Sequence, residues 1–181
     1  VGLISSRFVI EGPLKKNKSS FVVSGRRTYA DLVFKPIIKA ASKAQNAEQD
    51  LDVGYYFYDL NAKVNYDFGK KDKLYLSGYF GQDRFHADIQ EKDTENNSGL
   101  FWGNATGTLR WNHLFNQKLF MNNSLIFSKF NFNIAAASKE FEANSDKIAQ
   151  EFSLDYLSKI EDITLKSDFD FFPATNHSVR F

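Results

Sequence analysis

Residues 58–68 read YDLNAKVNYDF, a stretch in which apolar and polar residues alternate without a break. Successive side chains of a β-strand point to opposite sides of the sheet. The stretch therefore predicts a strand with one apolar face and one polar, partly charged face. Such a strand fits a wall between lipid and a wet interior, and the same contrast recurs along the chain.

The composition favours strands and aromatic surfaces. The 181 residues include 19 Phe, 8 Tyr and 2 Trp, so 16% of the chain is aromatic. Aromatic residues suit pleated surfaces and concentrate where a membrane protein meets the headgroup layer. No segment approaches the ~20 consecutive apolar residues of a spanning helix, which excludes a helical membrane protein. A spanning strand needs only alternate apolar residues, so it is compatible with the mean hydropathy of −0.42.

Charge and cysteine content exclude several classes of function. The chain has 23 basic and 22 acidic residues, a net charge of +1, so we expect no nucleic-acid partner. It has no cysteine, which excludes disulfides, thiolate chemistry and cysteine-based zinc sites. The lysines near residues 15–18 and 70–73 indicate solvated turns.

The alternation predicts an all-β fold of about eight strands that follow one another as an antiparallel meander. The predicted strands cover residues 4–12, 21–29, 55–68, 74–89, 104–112, 121–135 and 163–171, and an eighth begins at residue 178. On the second strand we expect Phe21, Val23 and Gly25 on the apolar side. One short helix is predicted inside the long loop between residues 34 and 53, from these residues at helical spacing after Pro36: Ile37, Ile38, Ala41, Ala44 and Ala47.

The predicted connections alternate in length. Those near residues 15, 71, 117 and 175 are short, and those near residues 43, 95 and 148 are long. Two of the long ones are read as polar loops over residues 90–99 and 136–162, the second with extended structure near residues 152–156. Short turns on one side and long loops on the other are typical of antiparallel outer-membrane barrels, and several strands exceed the ~9–11 residues that cross the hydrocarbon.

Two segments near the start carry a family resemblance. Residues 11–21 read EGPLKKNKSSF and residues 24–29 read SGRRTY. With them the chain resembles the TonB-dependent outer-membrane receptors, in the branch that has a carboxypeptidase-regulatory-like domain at the N-terminus. Residues 54–63, 74–81, 109–113 and 168–173 are similar to the same barrel, so the resemblance spans nearly the whole chain.

The resemblance implies a transmembrane barrel of about 22 strands around a plug domain, located in the bacterial outer membrane. Residues 1–181 would then be one partial barrel domain, without the plug and the remaining strands. The implied function is active uptake of a siderophore, an oligosaccharide or a similar nutrient, with no enzymatic activity. The implied partners are outer-membrane lipid, the plug, the remaining strands and the TonB complex. The substrate, and whether a surface lipoprotein caps the barrel, stay open.

Two other interpretations stay open at this point. A complete small barrel of eight strands would suit a chain that ends in Phe181, since many outer-membrane barrels end in Phe. A soluble all-β binding module would instead pack the aromatic residues into a sandwich core.

Polar residues on the predicted strands are candidates for lining the lumen and for contacting the substrate or the plug. These candidates are Arg26, Asp59, Asn61, Lys63, Arg110, Asp168 and Asp170. For Arg26 and Arg27 we favour one arginine that faces inward against carboxylates and one that reaches for the membrane interface. Tyr55, Tyr56 and Tyr58 are candidates for an aromatic rim, either an interfacial belt or a surface that stacks on a ligand.

The sequence predicts no catalytic residues, no cofactor and no metal site. No serine, histidine and aspartate arrangement stands out, and there is no phosphate loop. Three histidines, at positions 86, 113 and 177, lie on different segments without the spacing of metal ligands.

Overall fold

Eight strands form one antiparallel sheet in which each strand pairs with the next along the chain. The computed structural model describes Gly2 and residues 4–44, 50–143 and 145–181. The strands are β1 (Ser5–Lys15), β2 (Ser19–Thr28), β3 (Asp50–Asp67), β4 (Asp72–Gln90), β5 (Thr94–Asn116), β6 (Leu119–Phe141), β7 (Ile148–Ala174) and β8 (His177–Arg180), and one helix, α1 (Ala30–Ala44), lies between β2 and β3. The predicted all-β meander with one short helix is confirmed.

The sheet is open, with β1 at one edge and β8 at the other. β8 has four residues and pairs only with the end of β7, so most of the outer edge of β7 has no strand beside it in the described sheet. A strand this short cannot cross a bilayer or close the sheet against β1. The described chain is therefore not the closed eight-stranded barrel of the first alternative interpretation.

The sheet is a single layer without a core of its own. Met121 is the one buried apolar side chain among the described residues, at 6% exposure, and no side chain is fully buried. Leu165, by contrast, is 76% exposed. The second alternative, a sandwich, needs an opposing layer on which the aromatic residues pack, and the described residues form no such layer.

The helix begins earlier than the sequence suggests. The amide of Leu32 donates to the carbonyl of Tyr29 at 3.1 Å, and Asp31 places a negative charge in the first turn, where the helix dipole favours it. Pro36, expected at the helix start, lies inside α1, so the predicted start was wrong. Of the residues at helical spacing, Ala47 lies outside the described residues. Among those described, no helix has the length and apolarity to cross a bilayer.

The two predicted polar loops are wrong, because most of their residues belong to strands. Residues 91–93 alone connect β4 to β5, and residues 142–147 connect β6 to β7. Extended structure near residues 152–156 was correct and forms part of β7. A strand with polar residues on both faces shows no apolar alternation, although its backbone still pairs with the neighbouring strand. Thr94, for example, is paired with Glu140. The segments predicted as long loops are therefore mainly extensions of the strands beyond one end of the apolar part of the sheet.

The short turns show the expected chemistry. Asn17 adopts a positive φ of 57° in the lysine turn, and Asn accepts this left-handed conformation better than most residues. Gly69 has a φ of 141°, which strongly favours glycine, and its amide donates to Asp67 Oδ1 at 2.9 Å. Both turns lie at the same end of the sheet, next to the apolar part of the strands.

Candidate functional site

Residues paired across neighbouring strands lie on the same face of a sheet, so the register assigns every strand residue to a face. Face A carries Leu60, Ala62 and Val64, and face B carries Asn61 and Lys63. Face A is apolar across seven strands, in what we call the apolar band: Phe8, Ile10, Phe21, Val23, Leu60, Ala62, Val64, Leu74, Leu76, Phe80, Ala105, Leu109, Trp111, Leu125, Phe127, Ile163 and Leu165. The facing predicted for β2 is confirmed.

The apolar band is uncovered in the described structure. Leu76 at its middle is 57% exposed, and Ile163 on β7 is 74% exposed. At the end of the band next to the short turns, Trp111 donates its indole N–H to Asp72 Oδ1 at 3.0 Å. An apolar indole body with a satisfied polar group suits a boundary between hydrocarbon and water.

All seven predicted lumen residues share face B. Asp59, Asn61 and Lys63 alternate with the band on β3, and Arg26 is the registered partner of Asp59. The register places the others on the same face: Arg110 opposite Ser124, Asp168 opposite Asn122, and Asp170 opposite Phe120. The alternation predicted the shared face of these residues, which come from four strands: β2, β3, β5 and β7.

Several of these charges are paired within the sheet. Arg26 Nη2 lies 2.8 Å from Asp59 Oδ2, and its guanidinium lies 4.6 Å from the centroid of the Phe57 ring. Arg180 Nε lies 2.6 Å from Asp170 Oδ1. Half of the Arg26 side chain is exposed, so its ion pair orients the groups more than it stabilises the fold. These pairs place neighbouring opposite charges on face B.

The three predicted rim tyrosines do not come together. Tyr55 lies on face B, where its hydroxyl donates to Asp83 Oδ1 at 2.8 Å, while Tyr56 and Tyr58 lie on face A. Side chains alternate between the two faces along a strand, so one odd-numbered and two even-numbered positions of β3 cannot share a face. Tyr58 forms a short hydrogen bond with Gln82 on the neighbouring strand.

Beyond the apolar band, the apolar side chains change face. On β6, Phe127 belongs to face A, whereas Phe130, Phe132 and Ile134 belong to face B. The same change occurs on β3, β4, β5 and β7, where these residues follow it on face B: Tyr55, Phe57, Phe85, Leu100, Trp102, Tyr156 and Ile160. Aromatic contacts bind this surface together, including a stacked pair of Phe130 and Phe132 with ring centroids 6.5 Å apart.

The change of face occurs at one level of the sheet. The row just past the band on face B consists of paired residues, from Asp59 through Gly81, Asn104 and Phe130 to Ile160. The sequence analysis missed this feature, although the sequence contains a signal for it. On each of these strands the apolar residues change from odd-numbered to even-numbered positions, or the reverse, and the changes occur at paired positions of neighbouring strands. Above this level face A is mostly polar, with Phe101 and Leu157 as apolar exceptions, and face B becomes largely apolar.

A cluster of possible metal ligands lies farther along face A, beyond the band. Ligand atoms of Asp52, His86 and Asp88 lie within 4.8 Å of one another. A Cβ on Gly54 would lie 2.2 Å from His86 Cε1, so the missing side chain lets the imidazole lie over β3. The histidine spacing in the sequence gave no sign of this cluster, because its members meet through the pairing of β3 with β4.

Helix α1 supplies a cation to the same cluster. Lys35 Nζ lies 2.5 Å from Asp52 Oδ2, and this hydrogen bond holds the pKa of Asp52 below its ordinary value while Asp52 raises the pKa of Lys35. The ammonium already neutralises one of the two carboxylates, which weakens the cluster as a metal site. The ion pair between Lys35 and Asp52 links α1 to β3.

Comparison with known proteins adds no relative: no family model, curated protein or solved structure matches the chain.

Proposed function

We propose that this chain is a wall segment of a TonB-dependent outer-membrane receptor, which takes up a siderophore, an oligosaccharide or a similar nutrient. The observation that carries the proposal is the apolar band on face A of an open, single-layer sheet whose opposite face is polar at the same level. The sequence resemblance of residues 11–29 supports the family.

The energetics of the apolar band favour lipid as its surroundings. Each Å² of apolar surface left in water forgoes about 25 cal/mol of stabilisation. A single layer gives the band nothing to pack on, as the exposure of Leu76 and Leu165 illustrates. Acyl chains would cover face A without a second protein layer, and the lipid-facing band of outer-membrane barrels is apolar in the same manner.

The lengths of the strands fit a wall that continues above the membrane. β5 and β6 have 23 residues each and β7 has 27, whereas about 9–11 tilted residues cross the hydrocarbon. The change of face marks the level at which the wall would leave the lipid. Beyond it, polar residues on face A would meet water.

The two edges of the sheet require partners. Unpaired backbone groups are costly in lipid, so the remaining strands of the barrel would pair with β1 and with β7 and β8. Face B would line the lumen and contact the plug or the substrate through residues such as Arg26 and Asp59. In this proposal the TonB complex acts through the rest of the protein, and a surface lipoprotein could cap the barrel.

Spin labelling tests the proposal directly. The chain has no cysteine, so single substitutions Leu60→Cys, Ala62→Cys and Val64→Cys place a nitroxide at defined positions of face A in the full-length protein. In vesicles we expect high accessibility to oxygen and low accessibility to a water-soluble relaxing agent.

Asn61→Cys and Lys63→Cys are the matched controls on face B of the same strand. The proposal predicts the opposite preference for them. Immobile, inaccessible labels at all three face A positions would instead indicate a soluble core and refute the proposal. A full-length protein that is monodisperse without detergent would do the same.

A further inference from the structure

Just past the end of the apolar band, face A carries two arginines without an acidic partner. Arg27 is the registered partner of Tyr58, and Arg84 is the registered partner of Tyr56, on the first two rows beyond the band. Both arginine side chains are exposed. Neither forms an ion pair within the described part of the chain.

Tyr56 lies between these two cations. The guanidinium of Arg27 lies 5.8 Å from the centroid of the Tyr56 ring. The hydroxyl of Tyr56 makes no hydrogen bond among the described residues, whereas the hydroxyl of Tyr58 is engaged by Gln82. Two guanidinium groups and one hydroxyl therefore lie on neighbouring rows of face A without an acidic partner among the described residues.

A partly apolar cleft of about 870 Å³ adjoins Arg27 and Tyr56. Phe8, Leu60 and Phe80 line it, together with polar residues that include Arg7 and the paired Arg26 and Asp59. The first three residues belong to the apolar band. A molecule that satisfied the whole site would need an anionic group next to a hydrocarbon portion.

We propose that Arg27, Arg84 and Tyr56 bind the headgroup of an anionic phospholipid through its phosphate, and that the acyl chain of this lipid lies against Phe8 and Leu60. Arginine suits phosphate because its planar guanidinium offers two parallel N–H donors. This inference rests on the proposed function, in which face A contacts lipid. It goes beyond that function by naming one position on the wall and one lipid chemistry.

Several carboxylates of the sheet are already paired with other cations. On face B, Arg26 is paired with Asp59 and Arg180 with Asp170. Farther along face A, Asp52 is occupied by Lys35. The positive charge at the edge of the band is therefore not used by the protein itself.

The test compares wild type with the double variant Arg27→Gln/Arg84→Gln. The full-length protein is reconstituted in nanodiscs that contain phosphatidylcholine and phosphatidylglycerol, and native mass spectrometry measures the ratio of the two lipids that stay bound. Wild type should retain phosphatidylglycerol preferentially. The double variant should lose about thirtyfold of this preference, at about fivefold per arginine near a membrane surface.

Lys63→Gln/Arg110→Gln is the matched control, because it removes the same charge from face B away from the cleft, where neither cation has an ion pair in the described residues. The control should keep the wild-type ratio. An equal ratio in all three proteins, or an equal loss in both variants, would overturn the inference.

A nitroxide at Val64→Cys, which lies on face A outside the cleft, separates this inference from the proposed function. If the label is in lipid and phosphatidylglycerol shows no preference, the lipid site fails and the function stands. If the label does not contact lipid in the protein that keeps Arg27 and Arg84, both the lipid site and the proposed function fail. Loss of the preference in Arg27→Gln/Arg84→Gln while the label stays in lipid supports the site.

Discussion

Leu76→Arg tests which surroundings the apolar band has. Leu76 pairs with Val64 on β3 and with Leu109 on β5, and its side chain is 57% exposed. On β4 the band runs from Leu74 to Phe80, a span of about 20 Å at about 3.3 Å per residue. Leu76 lies near the middle of that span, where a charge would be farthest from water if the band is in lipid.

The two environments predict different costs for this substitution. On the lipid face of a barrel, an arginine near the midplane costs about 2–4 kcal/mol, which lowers the folding equilibrium constant by about 30-fold to 700-fold. If face A were in water, replacement of a side chain this exposed would change the stability by no more than about 0.5 kcal/mol. The difference is well beyond the error of a denaturant titration.

Ser77→Arg is the matched control on the next residue of β4. Ser77 lies on face B between Lys63 and Thr108, so an arginine there would remain on the polar face of the sheet. Reversible unfolding of the full-length protein by guanidinium chloride, in the presence of lipid vesicles, measures both variants. Equal free energies of unfolding for Leu76→Arg and Ser77→Arg would refute a lipid-facing band.

Two glycines and one ion pair give further predictions. Gly107→Ala should raise the free energy of unfolding by about 0.5 kcal/mol, since a Cβ there meets nothing within 4 Å. Gly25→Ala should stabilise the fold less than Gly107→Ala does, because its Cβ would overlap the Phe8 ring and this half-exposed ring would have to move; an equal gain in the two variants would contradict the packing. The lowered pKa of Asp52 means that its ionised form stabilises the fold above the unfolded pKa of about 3.9, and this contribution is lost as the pH falls through the lower folded pKa. Lys35→Gln should raise the pKa of Asp52 toward its ordinary value in an NMR titration of the carboxyl group; an unchanged pKa would show that Lys35 is not the cause.

Alternation predicted the parts of the fold in which the two faces differ strongly. In residues 58–68 the pattern gave the strand, the two faces and, with the same contrast on other strands, the common face of Arg26, Asp59 and Arg110. The information is local, because one residue of register decides the face of every side chain on a strand. For that reason the facing of β2 was correct even though its pattern was the weakest.

Contacts between residues that are distant in the sequence could not be predicted from alternation. His86 meets Asp52 only because β3 and β4 pair so that Gly54 opposes His86 and Asp52 opposes Asp88. Lys35 contacts Asp52 from helix α1. The start of this helix was predicted too late, because Pro36 is a residue suited to the first turn but lies inside α1. The strands within residues 90–99 and 136–162 were missed because polar side chains on paired backbone leave no apolar period to detect.

The change of face explains why alternation both succeeded and failed in this chain. A strand that passes from one medium to another should keep its period of two and reverse its phase. On β6 the phase reverses between Phe127 and Phe130, and on β7 between Ile163 and Ile160, which are positions at matching register. Five independent stretches of sequence would not reverse together by chance at one level of the sheet.

The reversal also limits what the surroundings can be. A soluble sandwich buries the same face of a strand along its whole length, so it predicts no common level of reversal. A wall that crosses a bilayer and rises above it predicts one, at the edge of the hydrocarbon. Arg27 and Arg84 on face A lie just beyond this level, as cations at a lipid headgroup layer would, and labels at Leu60 and at Arg84→Cys should therefore report different media only a few residues apart.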